Sequence, residues 1–141
     1  MHLRIDTIEQ TLKATGGVPG PMDDKGYRIA YAIAEDNLKL GLTVIADSVN
    51  PAAITRDAWR MVAERAGVTA VEVEVVCSDA DEHRRRVETR VADIAGHKQP
   101  SWDDVLARDY ETWGQADLVI DTAGTDLDDV VTRLVSQLPG D

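Results

Sequence analysis

Three short apolar runs in this chain each close on an aspartate: LRID at Asp6, LTVIADS at Asp47 and LVIDTAG at Asp121. A run rich in β-branched residues and bounded by turn formers reads as a parallel strand buried on both faces, which has no need to alternate. AVEVEVVC, Ala70 to Cys77, is a further strand that alternates before becoming continuously apolar. Between these runs the apolar period changes to that of a helix. Ile29, Ala30, Ile33, Ala34, Asn37 and Leu38 fall at helical spacing within Tyr27 to Leu40, with Gly41 as the stop, and Ile54 to Ala66 is a second amphipathic helix closed by Gly67. Strands alternating with helices imply a mostly parallel sheet covered on both faces, with right-handed crossovers. The expected fold class is a three-layer α/β.

The remaining elements follow from their caps. Thr7 with Gln10 is a capping-box pattern opening a helix to about Thr15. Ser78 or Asp79 caps a helix that carries HRRRVETR, Ser101 caps WDDVLARDYETW, and Asp126 to Leu138 is a final helix. GGVPGPMDD, Gly16 to Asp24, is a loop and the segment expected to be most mobile. At 141 residues the chain is expected to form a single domain.

Composition excludes several classes of function. The formal net charge of −11 argues against unspecific binding to nucleic acid, which depends on Lys and Arg neutralising phosphates. The single cysteine, Cys77, allows no internal disulfide or cysteine-rich metal site, and a cytoplasmic setting is expected. No apolar run approaches a membrane span, so no membrane partner is expected. His2, His83 and His97 lack the spacing of helical zinc ligands. The three tryptophans are read as core or lid packing, and Ser48 has no nucleophile elbow around it.

Two groups of residues suit chemistry. In one parallel sheet Asp6, Asp47 and Asp121 would share the carboxyl edge, where α/β proteins bind ligands. One such carboxylate can hold a Mg²⁺-bound water and another can orient or deprotonate a substrate hydroxyl. The same acids equally suit helix capping, and the spacing leaves both roles open. The second group is HRRRVETR, with four arginines in the seven residues Arg84 to Arg90. Arg86 and Arg90 at i and i+4 suit phosphate oxygens, and a solvated face paired with Glu82, Glu88 and Asp93 suits the pattern as well.

Taken in order, LRIDTIEQ, VIADSVNP, ITRDAW, EVVCSDADEHRRRVETR, PSWDDVLARDYETW and VIDTAG resemble P-loop small-molecule kinases. The resemblance is to the AAA-type ATPases related to zeta toxins, chloramphenicol phosphotransferase and gluconate kinases, and it spans about Leu3 to Gly124. It implies ATP and Mg²⁺ as cofactors and a small hydroxylated substrate. It places Asp6 at the substrate hydroxyl and Asp47 at Mg²⁺. Arg86 and Arg90 would come from a lid over about residues 79–113, and Thr122 would lie near the adenine. Arg56 is a further candidate for substrate binding.

The family's phosphate loop, G-x-x-x-x-G-K-[ST] between a strand and a helix, has no counterpart in these residues. The chain thus resembles such a kinase without about its first 25 to 30 residues, the length of one strand, loop and helix. The missing strand is the central one of a 2-3-1-4-5 sheet. The VIADS and EVEVVC strands would then pair directly, leave a gap or recruit a strand from another copy, and marginal stability or self-association is expected. Little or no turnover is expected of the 141 residues alone. The alternative is a non-catalytic nucleotide- or anion-binding regulatory module on the same scaffold. A flavodoxin-like receiver or redox domain lacks its characteristic residues here.

Overall fold

The computed structural model describes residues 1–17 and 22–138. These residues group into two compact units: the first comprises Met1–Ala70 with Ala92–Gln99 and Asp109–Glu111, and the second comprises Val71–Val91, Pro100–Arg108 and the chain from Thr112 onward.

In the first unit, strand β1 (His2–Arg4) runs directly into helix α1 (Ile5–Thr15). Asp6 therefore lies in the first turn of a helix and not at the end of a strand. Leu3 and Ile5, on either side of this junction, are both buried. Thr7 is accordingly inside α1, and the helix begins without a side-chain cap. Helix α2 (Lys25–Lys39) and strand β2 (Ile45–Asp47) follow, and then helix α3 (Ala53–Ala66), which ends at Gly67 in the left-handed conformation. Residues 18–21 of the Gly16 to Asp24 loop lie outside the described residues. Strand β2 is shorter than the LTVIADS run because its partner offers only three residues: His2, Leu3 and Arg4 pair in parallel with Ile45, Ala46 and Asp47.

Leu3, Ala34 and Val62 form the core of this unit, with Tyr31, Leu38, Val44 and Trp59 packed around them. Trp59 meets Tyr31 edge to face at 4.6 Å between ring centres. Helix α2 packs on α1, α3 and β1. At Gly26 an added Cβ would fall 2.4 Å from Glu9 Cγ, so a glycine there is what lets α1 and α2 approach so closely.

In the second unit, β3 (Val73–Val76) pairs in parallel with β4 (Leu118–Asp121), in register from Val73 opposite Leu118 to Val76 opposite Asp121. Helix α4 (Ala80–Thr89) is capped by Asp79, whose carboxylate accepts from the Glu82 N–H at 2.9 Å. Helix α5 (Trp102–Leu106) opens with a capping box between Ser101 and Asp104, and α6 (Leu127–Gln137) is capped by Asp126. Helix α5 stops well before Trp113, the end that its sequence pattern suggests.

The strands thus form two two-stranded parallel sheets, and among the described residues no ladder joins β2 to β3. The chain is mixed helix and strand with small parallel sheets. No helix of the described residues is long and apolar enough to cross a membrane.

Candidate functional site

The carboxyl end of the β1–β2 pair gathers charged groups. Leu3 is buried, so its neighbours His2 and Arg4 leave the core together, and both reach Asp47 at the end of β2. His2 Nε2 lies 3.1 Å and Arg4 Nε 3.5 Å from Asp47 Oδ2, and the Asp47 side chain remains half-exposed. The Arg4 guanidinium also donates to both oxygens of Asp93, at 2.6 and 3.3 Å. This hydrogen-bonded pair raises the Arg4 pKa and holds the Asp93 carboxyl below its usual range.

Asp6 stands beside this group at the positive end of the α1 dipole, which favours a carboxylate. Its Oδ2 is 3.8 Å from Nε2 of His97. Glu9, one turn further along α1, is raised by burial, an effect that Lys13 partly offsets. Burial also raises Tyr27, with contacts to Ser48 and to the backbone of Asn50 opposing it. Asn50 adopts φ +43°, a left-handed conformation that asparagine tolerates better than most residues, and it is buried. Among the described residues no group of three or more His, Cys, Asp or Glu is arranged to hold a metal ion. A metal at Asp47 would therefore draw on water or on ligand oxygens for its remaining positions.

Arg56 turns away from this surface. It is only 3% exposed, and it donates from Nε to the Asn50 carbonyl (2.9 Å) and from one terminal nitrogen to the carbonyls of Pro51 (3.3 Å) and Glu111 (2.7 Å). The Tyr110 ring lies over its guanidinium at 5.1 Å. Glu111 completes the attachment: its N–H donates to Pro51 and its carboxylate accepts from Ala53 N–H. Tyr110 and Glu111, which the sequence pattern places in the WDDVLARDYETW helix, are instead held at Arg56. A guanidinium buried on backbone carbonyls holds a loop in place and presents no donor at the surface.

The carboxyl end of the β3–β4 pair is closed by a dense hydrogen-bond network. Asp121 accepts from the backbone N–H groups of Ser78 and Ala123, each at 3.0 Å. Its hydrogen bonds with Ser78, side chain and then backbone, lead in lowering the carboxyl to about 2. The Thr122 hydroxyl donates to the Val76 carbonyl at 2.8 Å and accepts from Arg86 at 2.9 Å, and Arg86 also donates to the Thr122 carbonyl at 3.0 Å and to Glu82 at 2.6 Å. Glu82 accepts from Gly124 N–H at 2.9 Å, the main cause of its lowered pKa.

This network qualifies the reading of the arginine run. Arg84 pairs with Glu88, while Arg85 and Arg86 pair with Glu82, as expected of a solvated helix face. Asp93 pairs with Arg4 and not with the run. Arg90 is the helix C-cap, in extended conformation and exposed, so the two arginines expected to act together have different surroundings.

Asp6 and Asp47 thus belong to the first unit, and Asp121, Thr122, Arg86 and Arg90 to the second. Sequence reasoning overlooked Arg4, named Asp93 only as a partner for the arginine run and considered His97 only as a zinc ligand. The alternation of His2, Leu3 and Arg4 was the available signal for Arg4; the other two lie in a segment with no periodic pattern. No family model matches the chain, and no curated protein matches it.

Proposed function

We propose that this chain carries the acceptor and lid elements of a kinase-like phosphotransferase on a three-layer P-loop NTPase-like scaffold, with ATP as donor and a small hydroxylated molecule as acceptor. The observation that carries this reading is the strand pairing. Two parallel pairs, each of strands consecutive in the chain, correspond to the 2-3 and 4-5 pairings of a 2-3-1-4-5 sheet. In this reading Asp6 orients or deprotonates the acceptor hydroxyl, Asp47 engages Mg²⁺ and Arg90 contacts phosphate. Thr122 sits near the adenine in a loop that Arg86 holds, and Arg56 keeps the Asn50–Pro51 turn behind Asp47. The half-exposed Asp47 carboxylate would hold Mg²⁺, which would supply positive charge against the phosphates.

These 141 residues contain no phosphate loop, so their own turnover is expected to be at background. Detectable ATP-dependent phosphorylation of a small alcohol by this chain would overturn that expectation. The engagement of Arg86 by Glu82 and Thr122 favours a second reading, a non-catalytic nucleotide- or anion-binding module. Displacement of a fluorescent ATP analogue separates the two. Binding that requires Mg²⁺ and is lost in Asp47→Asn supports the kinase-like reading, whereas binding indifferent to both supports the module.

A further inference from the structure

Asn50 is the group that the β1–β2 end leaves unfinished. It is 8% exposed, and its amide oxygen Oδ1 has no hydrogen-bond partner among the described residues. A buried acceptor without a donor is costly in the folded chain, so its presence calls for a partner from outside the chain's own packing. The turn that carries it is held in place: Arg56 Nε donates to the Asn50 carbonyl at 2.9 Å, and the backbone sits at φ +43°.

The groups around this turn are mostly acceptors. The Tyr27 hydroxyl contacts the Ser48 side chain and the Asn50 backbone and also lies in the field of Glu9 and Asp6, so the turn and the start of α1 border one crevice. Glu9 lies against the start of α2, where a Cβ at Gly26 would fall 2.4 Å from its Cγ and 2.9 Å from its Oε1. The Glu9 side chain is 21% exposed and that of Asp6 61%. One carboxylate thus stands in the open and the other part-way down. Three positions apart on α1, they share a helix face, with about 5 to 6 Å between their Cβ atoms. Neither lies within hydrogen-bond distance of a cation among the described residues. Lys13 is 4.0 Å from Glu9 and His97 is 3.8 Å from Asp6, while Arg4 is held by Asp93 and Asp47.

We propose that Asp6, Glu9 and Asn50 form a subsite for a small amino alcohol, whose ammonium group donates to Glu9 and to the Asn50 amide oxygen while its hydroxyl donates to Asp6. An ammonium brings three donors and no acceptor, which matches two carboxylates and an unsatisfied amide oxygen. One helical turn separates the carboxylates, a span that a molecule with its hydroxyl and amine on neighbouring carbons can bridge. A neutral polyol offers donors to the same oxygens but no charge to the carboxylates, and an anionic molecule is repelled by them. The inference rests on the phosphotransfer reading only in calling this ligand the acceptor. Binding itself requires no nucleotide.

The test is an amide NMR titration of the full chain with serinol and with glycerol, which carries a hydroxyl in place of serinol's amine. Serinol is expected to shift the amides of Asp6, Glu9 and Ser48 to Asn50 and to bind at least about tenfold more tightly than glycerol, the margin of one charge-assisted contact. Glu9→Gln removes the charge, and Asn50→Gly removes the amide while keeping the left-handed turn; each should weaken serinol by about fivefold or more. Equal affinity for serinol and glycerol, or no binding of either, overturns the proposal. So does a serinol affinity unchanged in both variants, which would mark adventitious attraction to an acidic surface only. A loss confined to Glu9→Gln overturns the part given to Asn50. Serinol binding as expected, together with ATP binding indifferent to Mg²⁺, overturns the phosphotransfer reading and leaves the subsite standing.

Discussion

The carboxyl ends of the two strand pairs are built from similar residues and are left in different conditions. At the β3–β4 end, Thr122, Glu82 and Arg86 are joined by short hydrogen bonds, and Asp121 accepts from the backbone N–H groups of Ser78 and Ala123. At the β1–β2 end, Asp6 and Asp47 meet their partners at 3.1 to 3.8 Å through side chains alone, and both remain largely exposed. The difference teaches that a strand-end aspartate followed by turn formers is compatible with either outcome. What decides is whether backbone N–H groups, from the chain that follows or from the end of the neighbouring strand, turn onto the carboxylate, as those of Ala123 and Ser78 do for Asp121. A carboxylate satisfied in this way stabilises a loop. One left to flexible cations keeps its capacity for a ligand.

The largest expected effect falls behind the open end. Arg56→Met removes the donor to the buried Asn50 carbonyl and to the Glu111 carbonyl and should cost about 3 kcal/mol in chemical denaturation. A cost below about 1 kcal/mol would show that solvent replaces those bonds. At the closed end, Thr122→Val removes a hydroxyl that both donates to Val76 and accepts from Arg86, with an expected loss of about 1 kcal/mol.

Asp121 sharpens the comparison through pH. Its folded-state pKa of about 2 lies below the ordinary carboxylate value, so its contribution is fully present above about pH 4 and is lost as pH falls toward about 2. Asp121→Asn should lower stability at neutral pH and flatten the acid limb between those values; an unchanged limb in an acid titration of the melting transition would contradict the assignment. The smallest effect concerns self-association. Ile45, Val75 and Val119 are more than half exposed on the strand pairs. Sedimentation should show an average mass that rises with concentration, and Ile45→Lys should reduce the rise. A concentration-independent monomer mass would count against it.

Much of the local structure is legible in the sequence, because helix ends and turns are local chemistry. Gly41 and Gly67 follow helices as their patterns suggest, and Asp79, Ser101 and Asp126 are all N-caps. Element boundaries are less legible. Asp6 falls inside α1, which starts at Ile5, and residues 109–111, beyond the end of α5, are held by Arg56, more than 50 residues earlier, through the Glu111 carbonyl. The candidate site is legible to a similar degree. Asp6, Asp47 and Thr122 stand on strand-end turns or the helix turn beside them, as their runs suggest, but the partners that distinguish an occupied carboxylate from an accessible one come from segments far away in sequence. The pairing of Arg86 with Glu82 is local and legible in the run, whereas its bonds to Thr122 exist because β4 brings that residue to it.

The most direct test of the account is a hydrogen-exchange map of the chain with ATP, recorded with and without Mg²⁺. The account predicts protection of residues 45–50 around Asp47 that requires Mg²⁺, while protection of residues 122–125 appears with ATP alone. Protection confined to residues 122–125, or a change around Asp47 that is indifferent to Mg²⁺, would contradict it.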